Sequence, residues 1–124
     1  MLIVDDEVLL LRAFGRLLAA SFDVTTAAGG AAAIALRQAD SDRFDVIFSD
    51  LSGPEVRGMD LYRWLAERRP ALAARAVFMP GGAFSLAARE FLEKIANPRL
   101  GKPFAREDAA RVVSQLMQPA VALG

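Results

Sequence analysis

Short apolar runs alternate along this chain with stretches of helical spacing, and this alternation constrains the fold more than any other feature. Apolar runs lie at 1–4, 44–49 and 76–79, with a β-branched run at 22–26 and a weaker edge candidate at 97–101. Strands that are apolar along most of their length are buried on both faces, which is typical of parallel sheets covered by helices. The pattern therefore predicts an α/β fold.

The segments between and after these runs contain helix-forming residues with apolar side chains at helical spacing. They lie at 7–20, 31–39, 59–69, 84–95 and 106–117. A strand-helix unit repeated five times with right-handed crossovers leaves few topologies. We predict a single doubly wound, five-stranded parallel sheet in the order 2-1-3-4-5, a flavodoxin-like architecture with helices on both faces. The 124 residues fit one domain over 1–124.

The composition excludes several classes of function. The 15 Lys and Arg residues balance the 15 Asp and Glu residues, which disfavours a nucleic-acid binder. The chain has no Cys and no His, which excludes thiolate zinc sites, His general bases and Ser-His-Asp triads. Since no apolar run approaches the roughly 20 residues of a membrane span and the N-terminus lacks signal-peptide features, we expect a cytoplasmic chain without a direct membrane partner.

Acidic side chains follow two of the apolar runs. Asp5 and Asp6 come directly after the first run, and Asp50 comes directly after the third, 44–49. In the order 2-1-3-4-5 these strands are neighbours at the switch point, so we expect the carboxylates to lie close together and to repel one another. A hard divalent cation such as Mg²⁺ removes that cost. Lys102, which follows the fifth run, adds a mobile positive charge.

These groups suit phosphoryl transfer to a carboxylate. A carboxylate attacks phosphorus to give an acyl phosphate, and the transition state needs charge neutralisation and in-line positioning rather than a His base. A purely structural role stays open for each acid, because an Asp after a strand commonly forms an N-cap or an Asx turn. Capping of the first helix by Asp6 or Glu7 also stays open.

One enzyme class and one class of nucleotide-binding site fit the sequence less well. An aspartyl-phosphate hydrolase of the haloacid-dehalogenase type needs a second Asp two residues after its nucleophile, and Ser52 stands at that position. A Rossmann or P-loop nucleotide site is excluded, because no Gly-rich loop follows the first strand.

Five sequence blocks, in this order and spacing, carry a family resemblance: 3–7, 45–51, Pro54, 58–61 and 102–104. Together they resemble the receiver (response-regulator) domain family of two-component signalling over essentially the whole chain. The resemblance implies the CheY-like form of the fold and a phosphorelay module rather than an enzyme. The phosphoryl group would come from a phosphohistidine on a histidine kinase or phosphotransfer domain, and this chain, which has no His, would only receive it.

The resemblance also implies a role for individual residues. Asp50 is the expected phosphoacceptor, and Asp5 and Asp6 are the expected Mg²⁺-binding pair. Asp50 and the backbone carbonyl of Ser52 complete the implied protein ligands of the metal. Lys102 is expected to contact the phosphoryl group.

Two positions depart from the family pattern. The family usually has a Thr or Ser at the end of the fourth strand, where this chain has Pro80, which lacks both a hydroxyl and an N–H, although the N–H of Gly81 follows. The aromatic switch residue expected three positions before Lys102 is Arg99. Phosphorylation chemistry is then expected to be intact, but a degenerate receiver that binds partners without phosphorylation stays open.

The parent protein and the oligomeric state are separate questions. The stretches 80–84 and 97–99 resemble receivers fused to the C-terminal end of hybrid sensor histidine kinases more than free-standing regulators. The chain would then be a piece of a longer protein. A weak homodimer is also left open.

Overall fold

The computed structural model describes residues 1–5, 7–29, 44–51, 57–80, 86–101 and 104–117. The described strands are β1 (Leu2–Val4), β2 (Thr25–Ala27), β3 (Ile47–Asp50) and β4 (Ala76–Met79). The described helices are α1 (Val8–Ala19), α2 (Arg57–Arg68), α3 (Pro70–Ala73), α4 (Leu86–Glu93) and α5 (Arg106–Met117). The helix predicted at 31–39 lies outside the described residues.

The four strands form one parallel sheet in the order β2-β1-β3-β4. On the far side of β4, the fifth predicted strand is present as a single parallel bridge between Phe78 and Arg99. The N–H of Phe78 donates to the carbonyl of Pro98 at 3.1 Å, and the N–H of Leu100 donates to the carbonyl of Phe78 at 2.8 Å. The predicted α/β class and the order 2-1-3-4-5 are confirmed.

The fifth strand stays short for a reason that the residues show. The next rung of a parallel ladder would need an N–H from Pro98 to the carbonyl of Ala76, and Pro has no N–H to give. The side chain of Asn97 bonds that carbonyl instead, at 3.0 Å, and also bonds the carbonyl of Ala73 at 2.7 Å. Asn97 therefore ties the start of this edge segment to the end of α3.

Several predicted boundaries are shifted. The strand predicted at 22–26 lies at Thr25–Ala27, and the run 44–49 pairs only from Ile47, although Phe44 and Val46 are buried. The helix predicted at 59–69 is α2, which ends at Arg68, and Pro70 then opens the short helix α3, which the sequence interpretation did not include. The fixed φ of Pro70 suits the first helical position, where no intrahelical N–H bond is needed.

The strand side chains alternate between two helical layers. Ile3 and Phe48 face the layer of α1 and α5, whereas Val4 and Ile47 face the layer of α2 and α3. Gly15 brings α1 close to β2, because a Cβ at this position would lie 3.2 Å from Cγ2 of Thr26. Across the described part of the chain, no helix combines the length and the apolar character that crossing a bilayer requires.

Candidate functional site

Asp5 lies at the junction of β1 and α1 and is only 1% exposed. Its N–H donates to the carbonyl of Ala27 at 3.2 Å, which extends the pairing of β1 with β2. Its Oδ1 accepts the N–H of Glu7 at 2.9 Å, forming an Asx turn into α1. Glu7 is the N-cap residue, but its side chain makes no capping hydrogen bond. One carboxylate oxygen of Asp5 therefore has the structural role that the sequence left open.

Asp50 is the last residue of β3 and is partly exposed. It pairs with Met79, and the following N–H, that of Leu51, donates to the carbonyl of Met79 at 3.3 Å. Val4 pairs with Ser49, so the next residues of the two strands, Asp5 and Asp50, lie at the same level of the sheet edge. By strand alternation both acids fall on the face that bears α1 and α5.

The chain returns to this edge on both sides of Lys102. Gly101 lies beside the end of β4, because a Cβ built on it would be 4.0 Å from the carbonyl oxygen of Pro80. Phe104 stacks on Phe14 of α1, with ring centroids 4.6 Å apart and planes 15° from parallel. The centroid of the Phe48 ring lies 6.2 Å from that of Phe104. Phe48 precedes Asp50 by two positions. Phe104, the residue after Lys102–Pro103, therefore packs beneath the acidic edge, the end of the sheet that carries Asp5 and Asp50.

Four of the predicted site residues lie outside the described residues: Asp6, Ser52, Gly81 and Lys102. Among the residues that are described, no group of three or more acidic side chains gathers to hold a metal ion. Asp5 and Asp50 are two hard oxygen donors at one edge, and Mg²⁺ in proteins is typically bound by one or two carboxylates together with waters. These two residues therefore fit a magnesium ion but do not form a site by themselves.

Arg99 stands at the predicted switch position, where its residue type departs from the family pattern. Its side chain is exposed and makes its hydrogen bond away from the acidic edge. Its Nη2 donates to the carbonyl of Leu92 at 2.9 Å, in the last turn of α4. A cation near the end of a helix is favourable because the last carbonyls lack intrahelical partners. Pro80 is partly exposed at the end of β4.

The sequence interpretation missed an apolar feature beside the acids. Val8 and Leu9, in the first turn of α1, are 49% and 80% exposed. Both lie off the apolar stripe by which α1 packs on the sheet, and this offset is the signal that could have revealed them. Two apolar side chains are thus available to another molecule a few residues from Asp5.

A comparison with protein-family models identifies the family of the chain. The response regulator receiver domain model matches residues 1–114. The chain belongs to the response-regulator receiver family. This receiver therefore acts in two-component signalling, where histidine kinases or phosphotransfer proteins are the general partners and Mg²⁺ is the general cofactor.

Solved structures agree with this assignment. A response regulator receiver protein from Sinorhizobium medicae is 30% identical, with a TM-score of 0.71, and the match covers 93% of this chain and 90% of that one. A receiver domain protein from Clostridium thermocellum is 23% identical, with a TM-score of 0.76 and the same coverage. The chemotaxis protein CheY4 of Vibrio cholerae is 22% identical, with a TM-score of 0.72, covering 94% of this chain and 96% of that one. No curated protein matches the chain significantly.

Proposed function

We propose that this receiver accepts a phosphoryl group on Asp50 from a phosphohistidine of a histidine kinase or phosphotransfer domain, in a reaction that depends on Mg²⁺. The observation that carries the proposal is the position of Asp50. It ends a central strand, is partly exposed, and lies at the same level of the edge as the buried Asp5. The carboxyl edge of a doubly wound sheet is where such folds bind their ligands.

The reaction needs little beyond positioning. A carboxylate oxygen of Asp50 forms the new O–P bond while the P–N bond of the phosphohistidine breaks, and the electron pair of that bond goes to the imidazole nitrogen. The product is an acyl phosphate on Asp50 and a free imidazole on the partner. Backbone pairing of β3 with β4 through Asp50 and Leu51 holds the nucleophile in place.

Charge neutralisation is the other requirement. Asp5, Asp6, Asp50 and the carbonyl of Ser52 are the residues that would hold Mg²⁺, and the bound ion would offset charge on the phosphoryl oxygens. Lys102 would contact the same oxygens as a second cation. The fixed positions of Gly101 and Phe104, on either side of Lys102–Pro103, support this assignment.

The exposed apolar pair of α1 suggests how a partner reaches Asp50. Val8 and Leu9 follow the acidic edge by only a few residues, and apolar side chains surrounded by polar ones are typical of protein contacts. We infer that the phosphodonor domain packs against this turn while its phosphohistidine enters the acidic edge.

The two roles of Asp5 can be separated by substitution. Asp5→Asn retains an oxygen for the N–H of Glu7, so its free energy of unfolding is expected to stay at or above that of the wild type, because repulsion with Asp50 is relieved. Asp5→Ala loses the turn and is expected to cost about 0.5–2 kcal/mol, the range for lost helix caps. Chemical denaturation measures both values.

Magnesium affinity is expected to respond differently. Both Asp5 variants lack the charged ligand, and we expect each to bind Mg²⁺ at least about tenfold more weakly, since even indirect changes near metal ligands cost roughly 10–100-fold. Calorimetric titration measures the affinity. An Asp5→Asn protein that binds Mg²⁺ as well as the wild type would remove Asp5 from the metal site.

The conformational response to phosphorylation is expected to be small. Pro80 cannot offer a hydroxyl to the phosphoryl group, and Arg99 is held by the carbonyl of Leu92 rather than by an apolar pocket. A ligand shifts an equilibrium only by its differential affinity for the two states. A hydrogen bond to a charged group is worth roughly 1.5–3 kcal/mol, so its absence changes a population ratio about tenfold or more.

Hydrogen exchange can test this expectation. Addition of beryllofluoride and Mg²⁺ is expected to change exchange over 84–95 and 97–101 only slightly in the wild type, and more in Pro80→Thr, which restores the hydroxyl. Pro80→Ala, which restores the N–H but not the hydroxyl, is the matched control and is expected to resemble the wild type. Large and equal changes in all three proteins would show that Pro80 does not limit the response.

The alternative function is a degenerate receiver that binds partners without phosphorylation. Pro80 and the bonded side chain of Arg99 are the observations that favour it. Incubation with a small phosphodonor and Mg²⁺ separates the two proposals, because only a working receiver gains mass. An aspartyl-phosphate hydrolase would instead turn the donor over steadily.

The setting of the receiver is a further part of the proposal. We place it in the cytoplasm, in a parent protein that is a hybrid sensor histidine kinase with this receiver at its C-terminal end. The coding sequence on either side of the segment tests this placement directly, since a kinase core upstream is required.

A further inference from the structure

An open groove of about 510 Å³ lies at the opposite end of the sheet from the acidic edge. One wall comes from the second half of α2 and from α3, and the other from the segment that follows α4. The side-chain nitrogen of Asn97 joins the two walls, because it donates to the carbonyls of Ala73 and Ala76. Hydrogen bonds therefore hold the groove in shape, and its volume falls within the roughly 300–1,000 Å³ of small-molecule sites.

Apolar side chains form most of the lining of this groove. Four are alanines, at 66, 73, 74 and 96, and Ile95, Pro98 and Leu116 add larger apolar surfaces. Eleven of the described residues line the groove, whereas each side of a standard protein–protein interface takes roughly 20–30 residues. The size of the groove therefore favours a small molecule over a folded protein partner.

Two side chains of the lining have polar groups without a protein partner. Lys94 is exposed, and within the described ranges its ammonium forms no hydrogen bond or ion pair. Tyr62 is partly exposed, and its hydroxyl makes no hydrogen bond in the part of the chain that the structure describes. The Tyr62 ring is fixed edge-on to Phe78 and Phe91, with centroids 5.7 Å and 5.3 Å away. Apolar walls with a few polar groups are the usual form of a ligand site.

The charge of the lining indicates the ligand. Of the described residues that line the groove, none is acidic and Lys94 alone is basic. An ammonium and a phenol hydroxyl both donate hydrogen bonds, and such bonds are stronger when the acceptor is a carboxylate. A single ammonium balances one negative charge, whereas a dianionic phosphate would leave charge unpaired against apolar walls.

We propose that this groove binds a small monocarboxylic acid with an apolar body. The body lies on the alanines between the two walls, and Lys94 and Tyr62 hold the carboxylate. The proposal does not depend on phosphorylation at Asp50, because the groove lies at the other end of the sheet.

Octanoate is the probe for the first test, because it joins one carboxylate to an apolar chain. Titration into the full chain is expected to give saturable amide shifts at Ala66, Ala74 and Ala96. Octylammonium, with the same chain and the opposite charge, is expected to bind at least about tenfold more weakly, since a hydrogen bond to a charged group is worth roughly that factor. Equal affinity for the two probes, or shifts that do not saturate, would overturn the proposal.

Substitution of the two polar side chains tests their roles. Lys94→Met retains the apolar stem without the charge, and Tyr62→Phe retains the ring beside Phe78 and Phe91 without the hydroxyl. Each is expected to weaken octanoate binding about tenfold or more. Lys94→Arg keeps the charge and is expected to retain most of the affinity. Wild-type affinity in both Lys94→Met and Tyr62→Phe would contradict the proposal.

Two alanines of the same short turn provide a matched control. Ala74 lines the groove, Ala71 is not among the described residues that line it, and both are exposed. Ala74→Glu adds bulk and a like charge beside the ligand, so it is expected to abolish octanoate binding. Ala71→Glu adds the same charge outside the groove and is expected to bind as the wild type does. Equal effects of the two substitutions would contradict the proposal.

A second copy of the chain is the other occupant that these variants test. Without ligand the groove is expected to be free, so the wild type and both glutamate variants are expected to sediment alike. A dimer that Ala74→Glu dissociates and Ala71→Glu leaves intact would place a second copy in the groove, and the proposal would then be wrong.

Discussion

Asp50→Asn is expected to abolish phosphoryl uptake completely. The substitution keeps the size and shape of the side chain at the end of β3, but a neutral amide is not a nucleophile that can form an acyl phosphate. The backbone bonds that position this residue do not involve its side chain, so the fold is expected to be retained. Intact-mass measurement after incubation with a small phosphodonor and Mg²⁺ detects the loss directly.

Asp45→Asn is the matched control for this variant. Asp45 precedes the same strand, is exposed, and lies five residues from Asp50 toward the opposite end of the sheet. The same charge is removed, yet uptake at the wild-type level is expected. Phosphate on the Asp50→Asn protein at the wild-type level would show that another residue is the acceptor.

Phe78→Ala is expected to lower the free energy of unfolding strongly. Phe78 is 1% exposed in β4, and its ring packs edge-on against Tyr62 and Phe91, with centroids 5.7 Å and 5.3 Å away. Truncation of a buried Phe costs about 3–5 kcal/mol through lost burial and the cavity left behind. Since domains have total stabilities of about 5–15 kcal/mol, this variant should be close to unfolding.

Chemical denaturation measures that loss, and Leu86→Ala supplies the comparison. Leu86 is 67% exposed on α4, so its truncation is expected to change the free energy of unfolding by no more than about 0.5 kcal/mol. A Phe78→Ala protein that loses less than about 1 kcal/mol would mean that the aromatic cluster does not stabilise the fold.

Much of this fold could be predicted because the apolar runs are so clearly separated. The run 76–79 and the stretch 106–117 match β4 and α5 at both ends. The crossover rule left few topologies, and the order 2-1-3-4-5 chosen among them made β1 and β3 neighbours and placed Asp5 and Asp50 at one edge, as the structure has them.

The differences arise where tertiary contacts decide local structure. The short helix α3 was not predicted; it begins at Pro70, whose missing N–H is harmless at the first helical position. The fifth strand was weak because Pro98 lacks the N–H for a second rung, and the side chain of Asn97 takes its place. Neither the start of α3 at Pro70 nor the hydrogen bond from Asn97 has a periodic sequence signal, so neither could be predicted from pattern alone.

The candidate site also combines features that the sequence predicts with features that only the structure shows. Residue types and spacing pointed to Asp5 as an acid at the carboxyl edge, and the structure adds that one of its oxygens accepts the N–H of Glu7. Arg99 was recognised only as a departure from the family pattern. Its bond to the carbonyl of Leu92 depends on where α4 ends relative to β4, which sequence periodicity does not define.

The most direct test of the proposed function is the phosphoryl content of the wild-type chain. After incubation with a small phosphodonor and Mg²⁺, intact-mass measurement is expected to show one added phosphoryl group. Fragmentation of the modified chain is expected to place this group on Asp50. Removal of Mg²⁺ with a chelator before incubation is expected to prevent the addition. A folded wild-type chain that gains no mass with Mg²⁺ present would contradict the account and identify this protein as a degenerate receiver.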